Sequence, residues 1–188
     1  MRYVALLRAV NVGGTGLITM EDVRGIFADQ GCEDVSTLGA SGNVVFSAKG
    51  AAPALRGRIE AALAARLGKP ATAILRTGEE MRAVVEAAPA PFRDAGDDVK
   101  RYVAFLDDPV GRKAPARMPG AAVEFPAPRP GEVYVLAAKA GTRGADPHKF
   151  LEKALGTKAT ARAWSVVRSL ADLAAGGAAA RAPRRRRA

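Results

Sequence analysis

The start of the chain combines an apolar run, a glycine-rich corner and a helical pattern. The run RYVALLRAV, residues 2–10, is aliphatic and β-branched, and NVGGTG, residues 11–16, follows it. This order predicts a buried first strand that ends in a turn. Thr19 then precedes apolar residues at helical spacing, with Asp22 three positions later. Such a pair is a variant of the capping box, so we expect a helix from there until Gly31.

The next patterns predict three more strands and a second helix. VSTLGAS and NVVFSA flank the dipeptide Gly42-Asn43, which predicts a two-residue hairpin. Leucine and isoleucine recur every four residues from Leu55 to Leu67 and mark one face of a helix. ATAILRT, residues 71–77, is the fourth expected strand. The order βαββαβ is that of the ferredoxin-like plait.

The pattern restarts after a further helix and a proline-rich break, PAPFRDAGDD. VKRYVAFL, AVEFP and EVYVLAA have the composition of strands, and DPHKFLEKAL and VVRSLADLA that of helices, with a short extended piece near 157–160. We therefore predict an α+β protein of two linked ferredoxin-like units with antiparallel sheets. The expected ranges are 1–88 for the first unit, 89–98 for a linker, 99–175 for the second unit and 176–188 for a disordered basic tail.

Charge changes this picture mainly at the C-terminus. Of a net charge of +10, five charges belong to the tail arginines, Arg181, Arg184, Arg185, Arg186 and Arg187. Such a segment adds salt-dependent affinity for phosphate backbones without sequence preference. The abundance of Arg and Ala throughout the chain is also typical of a GC-rich genome. Non-specific nucleic-acid binding by the tail and an adventitious extension both stay open.

Composition also narrows the chemistry. Cys32 is the only cysteine and His148 the only histidine, which excludes an internal disulfide and metal centres built on several thiolates or imidazoles. We expect no metal and no cofactor. No run of about 18 apolar residues occurs, and Arg8 interrupts the apolar N-terminus before any cleavage site. We therefore expect a cytoplasmic protein with no membrane association.

Four stretches carry a resemblance to a known family: RYVALLRAVNVGG, ASGNVVFS, FLEKALG and ATARAWSVVRSLADL. In this order and spacing they resemble the bacterial family called domain of unknown function 1697. The resemblance implies a pair of linked ferredoxin-like units and no established activity, substrate or cofactor. The chain departs from the usual residues of that family at Ala9, Thr15, Ala40, Ala163 and Ser165. Because most of these changes remove a polar group, they imply weaker or altered binding of any ligand that the family shares.

The corner after the first strand is a candidate phosphate site. Backbone N–H groups of Gly13 and Gly14 can face a phosphate at a helix N-terminus, and Arg8 and Asn11 can contribute side chains. The motif is neither GxxxxGK[ST] nor GxGxxG, and acidic residues in the first turn of the following helix repel an anion. A purely structural corner is the alternative.

The hairpin offers a second candidate, because Ser41 and Asn43 can present hydrogen-bonding groups from its tip. Glycine and asparagine are also what such a turn needs for its backbone angles. In the plait topology we expect this hairpin and the loop after the first strand to leave opposite ends of neighbouring strands. A single site made from both loops is therefore not expected.

Other candidates lie in the second half of the chain and on the sheets. Trp164 beside Arg162 can stack on a flat ligand, or it can pack between elements. His148 beside Asp146 offers a base with an orienting carboxylate, but Asp-Pro-His is better interpreted as a helix start with Asp as its cap. An RNA-stacking sheet, as in an RRM, has only Tyr3 and Phe46 to support it here.

These observations favour a non-catalytic protein that binds a ligand or nucleic acid. An enzyme or sensor for a small phosphorylated ligand at residues 11–16 is the alternative, and a structural or partner-binding protein is the third class. No catalytic residue is assigned from the sequence.

Overall fold

The structure is a computed structural model that describes residues 1–8, 10–11, 18–109, 115–140 and 146–176. The chain divides into two compact units, Met1–Arg82 together with Arg168–Ala188, and Ala83–Val167. Each unit contains a four-stranded antiparallel sheet. Within the described ranges, no helix is both long enough and apolar enough to cross a membrane.

The first unit has the predicted βαββαβ order. Its strands and helices are β1 (Arg2–Arg8), α1 (Met20–Asp29), β2 (Glu33–Thr37), β3 (Asn43–Ser47), α2 (Ala52–Leu67) and β4 (Thr72–Thr77). Its sheet has the order β2-β3-β1-β4, which is the strand order of a ferredoxin-like plait. Thr19 caps α1 as expected, since its side-chain oxygen accepts a hydrogen bond from Asp22 N at 3.0 Å.

The core of the first unit lies between the sheet and two helices. Alternate residues of β1 and β3 point into it and meet the apolar faces of α1 and α2. The main members are Tyr3, Leu7, Val44, Phe46, Val23, Phe27, Leu55, Ile59 and Leu63. Tyr3 stacks on Phe46 with ring centroids 5.7 Å apart, and both rings are buried. An RNA-stacking role for these two rings is therefore excluded, because they face the core.

The second unit repeats the strand order with one difference in its helices. After α3 (Gly78–Glu86), which spans the division, the chain forms α4 (Ala90–Arg93), β5 (Val99–Leu106), β6 (Val123–Glu124), β7 (Glu132–Ala138), α5 (Pro147–Leu155), β8 (Ala159–Ala163) and α6 (Trp164–Ala174). The sheet order is β6-β7-β5-β8. Residues 107–109 and 115–122, the described part of the connection from β5 to β6, contain no helix. The short extended piece expected near 157–160 is the strand β8.

The two faces of the second sheet are covered by different elements. On one face, Leu151 and Leu155 of α5 pack against β5 and β7, and Phe125 stacks on Phe150 with ring centroids 5.8 Å apart. On the other face, the Tyr134 hydroxyl donates to the carbonyl of Val84 in α3 at 2.7 Å. Burial, with a smaller contribution from the charge of Glu132, raises the pKa of Tyr134 to about 12.

Candidate functional site

Two regions collect the residues that the sequence singled out, one in each unit. In the first unit, the loop after β1 and the β2–β3 connection lie together at one end of the sheet. Leu7 N donates to Gly42 O at 2.8 Å, and Leu6 pairs with Asn43. The expectation that these loops lie at opposite ends is therefore wrong. Because β1 and β3 are antiparallel, the end of β1 meets the start of β3.

The connection itself also differs from the prediction. It spans residues 38–42, and Gly39 and Gly42 have φ of +65° and +70°. The predicted two-residue hairpin at Gly42-Asn43 is wrong because Asn43 is already the first residue of β3. Its side-chain amide donates to Leu38 O at 2.9 Å. Asn43 thus braces the turn from a position that is 2% exposed.

Asn11 joins the two loops. Its side-chain amide donates to Ile18 O at 2.9 Å and to Ala40 O at 3.2 Å, and its oxygen accepts from Ile18 N at 2.9 Å. Its φ of +56° is in the left-handed region that asparagine tolerates better than most residues. Since an amide has two hydrogens and both are engaged, the Asn11 side chain has no donor left for a phosphate.

Two further predicted residues, Arg8 and Ser41, are described at this end of the sheet. Arg8 is partly buried at the end of β1, where it pairs with Thr72, and Ser41 is exposed. Gly13 and Gly14 lie outside the described residues, and a phosphate site there stays a prediction. The described contacts explain this end of the sheet as a clamp that fixes the ends of two loops.

In the second unit, Arg162 and Trp164 are buried, each with 8% of its surface exposed. Arg162 donates to Thr160 Oγ1 at 2.8 Å and to Ala161 O at 2.9 Å, and its burial lowers its pKa to about 10. Trp164 packs edge-on against Phe92, with ring centroids 5.2 Å apart. Little of either side chain is left to stack on a ligand. The tail arginines, Arg181 and Arg184 to Arg187, lie outside the described residues.

The second unit also has a cleft of about 430 Å³ that the sequence did not predict. It lies on the face of the sheet that α5 covers in part. Its floor comes from alternate positions of three strands, Lys100, Tyr102, Ala104, Val135, Ala137 and Ala161. Its wall comes from the start of α5, Asp146, Pro147, His148 and Leu151. We call this space the α5 cleft.

The wall of the α5 cleft is built on a conventional helix start. Asp146 caps α5 as predicted, because its Oδ1 accepts a hydrogen bond from Lys149 N at 3.2 Å, and Pro147 is in the first turn. Its carboxylate also lies 3.5 Å from Lys149 Nζ and 3.6 Å from His148 Nδ1. Partial burial opposes ionisation of Asp146, but the hydrogen bond from Lys149 and the charges of His148 and Lys149 outweigh it and lower the pKa.

Nucleophilic catalysis assisted by His148 would depend on the groups that lie beside it in the described lining of the α5 cleft. A Ser-His-Asp or Cys-His site needs a nucleophile within hydrogen-bonding reach of the base. The described residues that line the α5 cleft include no serine, threonine or cysteine. Asp146 acts as a helix cap, and its 3.6 Å separation from His148 Nδ1 exceeds a hydrogen bond.

Sequence reasoning missed Lys100 and Tyr102 as candidate residues. A signal was present: in VKRYVAFL they occupy alternate positions together with Ala104, so one face of the strand begins with a cation and a phenol before it becomes apolar. The pattern by itself predicts only a strand, because a single strand does not indicate what covers its face.

The fold is shared with a solved structure. The conserved bacterial protein SP0830 from Streptococcus pneumoniae is similar with a TM-score of 0.70 at 18% sequence identity, over 92% of this chain and 98% of that one. At this identity the likeness shows the fold alone. No curated protein matches the chain. A family model described as protein of unknown function (DUF1697) matches residues 1–124, two thirds of the chain, and the protein therefore belongs to the DUF1697 family.

Proposed function

We propose that this protein is a non-catalytic binding module whose ligand occupies the α5 cleft. The observation that carries the proposal is the cleft itself. Its volume of about 430 Å³ is within the range of small-molecule sites, which commonly measure roughly 300 to 1,000 Å³. Its surface combines apolar side chains with a few polar groups, which is the composition typical of such sites.

The regular floor of the α5 cleft supports the proposal. Lys100 pairs with Ala137, Tyr102 with Val135 and Ala104 with Ala161 across the strands. These positions belong to three hydrogen-bonded strands, so the floor is held by the sheet rather than by loops. A site on rigid elements needs little ordering when a ligand binds, which favours affinity.

A thermal-shift screen tests the proposal. We expect some compounds of a metabolite panel to raise the melting temperature of the wild type, because a ligand at 100 times its Kd stabilises by about 2.7 kcal/mol. Ala161→Leu fills part of the cleft and should abolish those shifts. Ala154→Leu, at an exposed position of α5 outside the lining, is the control and should retain them. Equal shifts in all three proteins would contradict the proposal.

The charge of the tail favours a second candidate function, non-specific nucleic-acid binding. Five of the ten net charges lie within the last 13 residues, where no acid offsets them. The full chain should bind a labelled oligonucleotide with an affinity that falls steeply as salt rises. Removal of residues 176–188 should eliminate most of that binding. Undiminished binding by the truncated chain would contradict the role of the tail.

A further inference from the structure

We infer that the ligand of the α5 cleft is a small amphipathic anion, with its charged group at Lys100 and Tyr102 and its apolar body on the alanine-lined floor. This inference rests on the proposed function, because it assigns a chemical class to the ligand of that same site. The observation behind it is that the Lys100 ammonium and the Tyr102 hydroxyl line one cavity.

Lys100 and Tyr102 are available to a ligand. They lie two positions apart on β5, so their side chains leave the same face of the sheet about 7 Å apart along the strand. Within the described part of the chain, the Lys100 ammonium has no ion pair and the Tyr102 hydroxyl no hydrogen bond. An ammonium and a phenol are both donors, and together they match the oxygens of a carboxylate, phosphate or sulfonate group.

The carboxylate in the α5 cleft does not cancel this preference. Asp146 is committed to the backbone N–H of Lys149 and lies 3.5 Å from the Lys149 ammonium. Two basic side chains, Lys149 and His148, therefore lie beside that carboxylate, whereas no described acid forms an ion pair with Lys100. The charged group of a ligand is therefore expected at Lys100 and Tyr102 rather than at Asp146.

The rest of the floor selects an apolar body. Ala104, Ala137, Ala161 and Val135 offer no polar side-chain group, and covering such a surface is favourable by about 25 cal/mol per Å². Tyr102 pairs with Val135, and two residues further along β5 Ala104 pairs with Ala161. The ligand is thus oriented along β5, with its anionic group near the start of the strand and its body towards the middle.

Two fluorescent probes test the inference on the full chain. 8-Anilinonaphthalene-1-sulfonate carries an anionic group on an apolar ring system, and N-phenyl-1-naphthylamine is nearly the same molecule without the charge. The wild type should bind the sulfonate more tightly. Lys100→Met should weaken sulfonate binding about fivefold, which is the equivalent of about 1 kcal/mol for a partly exposed charged contact. It should leave the affinity for the neutral probe unchanged.

Matched variants separate the possible outcomes. Lys139→Met removes an exposed lysine outside the cleft lining and should change neither affinity, which controls for net charge. Tyr102→Phe should weaken only the sulfonate. Ala161→Leu should weaken both probes, and Ala161→Val provides a smaller filling should the larger one unfold the protein, as monitored by circular dichroism.

The two proposals fail in different ways. If Ala161→Leu and Ala161→Val leave both affinities intact, the probes bind elsewhere and the proposed function is overturned. If these variants weaken both probes while Lys100→Met affects neither, or affects both equally, the α5 cleft remains the binding site and the assignment of an anion is overturned.

Discussion

The two units share a strand order but cover their sheets differently. In the first unit, α1 and α2 both pack on one face of the sheet and fill it with large side chains such as Phe27 and Leu63. In the second, α5 is the one helix that the described residues place on the corresponding face, and the α5 cleft lies beside it. Strand order alone therefore does not determine whether a face is closed, because the connections decide what covers it.

The side chains of the central strands follow the same contrast. Towards the helices, β1 presents Tyr3, Ala5 and Leu7, which are all buried. On its corresponding face, β5 presents Lys100 and Tyr102 before it reaches buried Ala104. A lysine is tolerated there because its ammonium reaches solvent. The more open of the two faces is also the one with polar groups available to a ligand.

Enlarging one alanine in each unit should give the largest effect. Ala5→Leu adds volume between two paired strands and the helices of the first unit, so we expect a loss of about 3 kcal/mol in the free energy of unfolding. The leucine of Ala161→Leu projects into the cleft, so this variant should change the free energy of unfolding by less than about 0.5 kcal/mol. Chemical denaturation measures both. Equal losses would break the comparison, since the second face would then be as tightly packed as the first.

A pair of glycines tests how tightly the first unit closes at its loop end. A Cβ at Gly42 would lie 2.7 Å from Leu7 Cβ, whereas one at Gly39 would meet no atom within 4 Å. Both residues have positive φ, so each change to alanine strains the backbone by about 1 kcal/mol. The clash should make Gly42→Ala about 2 kcal/mol more destabilising than Gly39→Ala in urea unfolding. Similar losses for both would show that Leu7 yields easily.

Two tyrosines compare the faces of the second sheet. Tyr134→Phe removes the hydrogen bond to Val84 O and should lower the free energy of unfolding by about 1 to 2 kcal/mol. Tyr102→Phe, in the cleft, should be nearly neutral. Because the pKa of Tyr134 is raised to about 12 from 10.0, its stabilising contribution is complete below pH 10 and declines as pH rises towards 12. The difference between wild type and Tyr134→Phe should shrink over that range, and a constant difference would contradict this.

A pair of aspartates at helix starts should give the smallest effect. The pKa of Asp146 is lower in the folded protein than its unfolded value of 3.8. Its charge therefore stabilises the folded state at any pH above 3.8, and this contribution is lost as the pH falls through the folded pKa. Asp146→Asn keeps a capping side chain and should change stability at pH 7 by only a few tenths of a kcal/mol. It should also remove part of the acid sensitivity. Asp22→Asn in α1, where hydrogen bonding with Thr19 and the charge of Arg66 lower the pKa of Asp22, is the corresponding change in the first unit. Unfolding by acid is followed by circular dichroism. If both variants give the same acid titration curve as the wild type, the stabilising roles assigned to the two carboxylates are contradicted.

The sequence predicted the elements well where a local pattern decides them. The caps at Thr19 and Asp146 follow from side chains that satisfy helix N–H groups a few residues away, and these were confirmed. In the predicted stripe, Leu55, Ile59 and Leu63 are buried and Leu67 is partly buried, since helical spacing places them on one face. The prediction of two linked ferredoxin-like units was also confirmed, because the local patterns predict the strands that form the two sheets.

The site was harder to predict because it depends on contacts between distant residues. Asn11 and Ala40 meet only because β1 and β3 are antiparallel neighbours, which reverses the expected placement of their loops. The α5 cleft depends on which part of a sheet the chain leaves without a helix. No pattern within β5 carries that information, and Lys100 and Tyr102 are candidates because they line one cavity.

A titration that distinguishes the two regions tests the central claim most directly. Nitrogen-15 labelled protein, titrated with 8-anilinonaphthalene-1-sulfonate, reports by chemical-shift change which backbone amides are close to the probe. We predict that the changes cluster in β5, β7, β8 and the first turn of α5. Changes confined to Asn11, Ile18 and residues 38–42 would place binding at the loop clamp of the first unit and contradict the account.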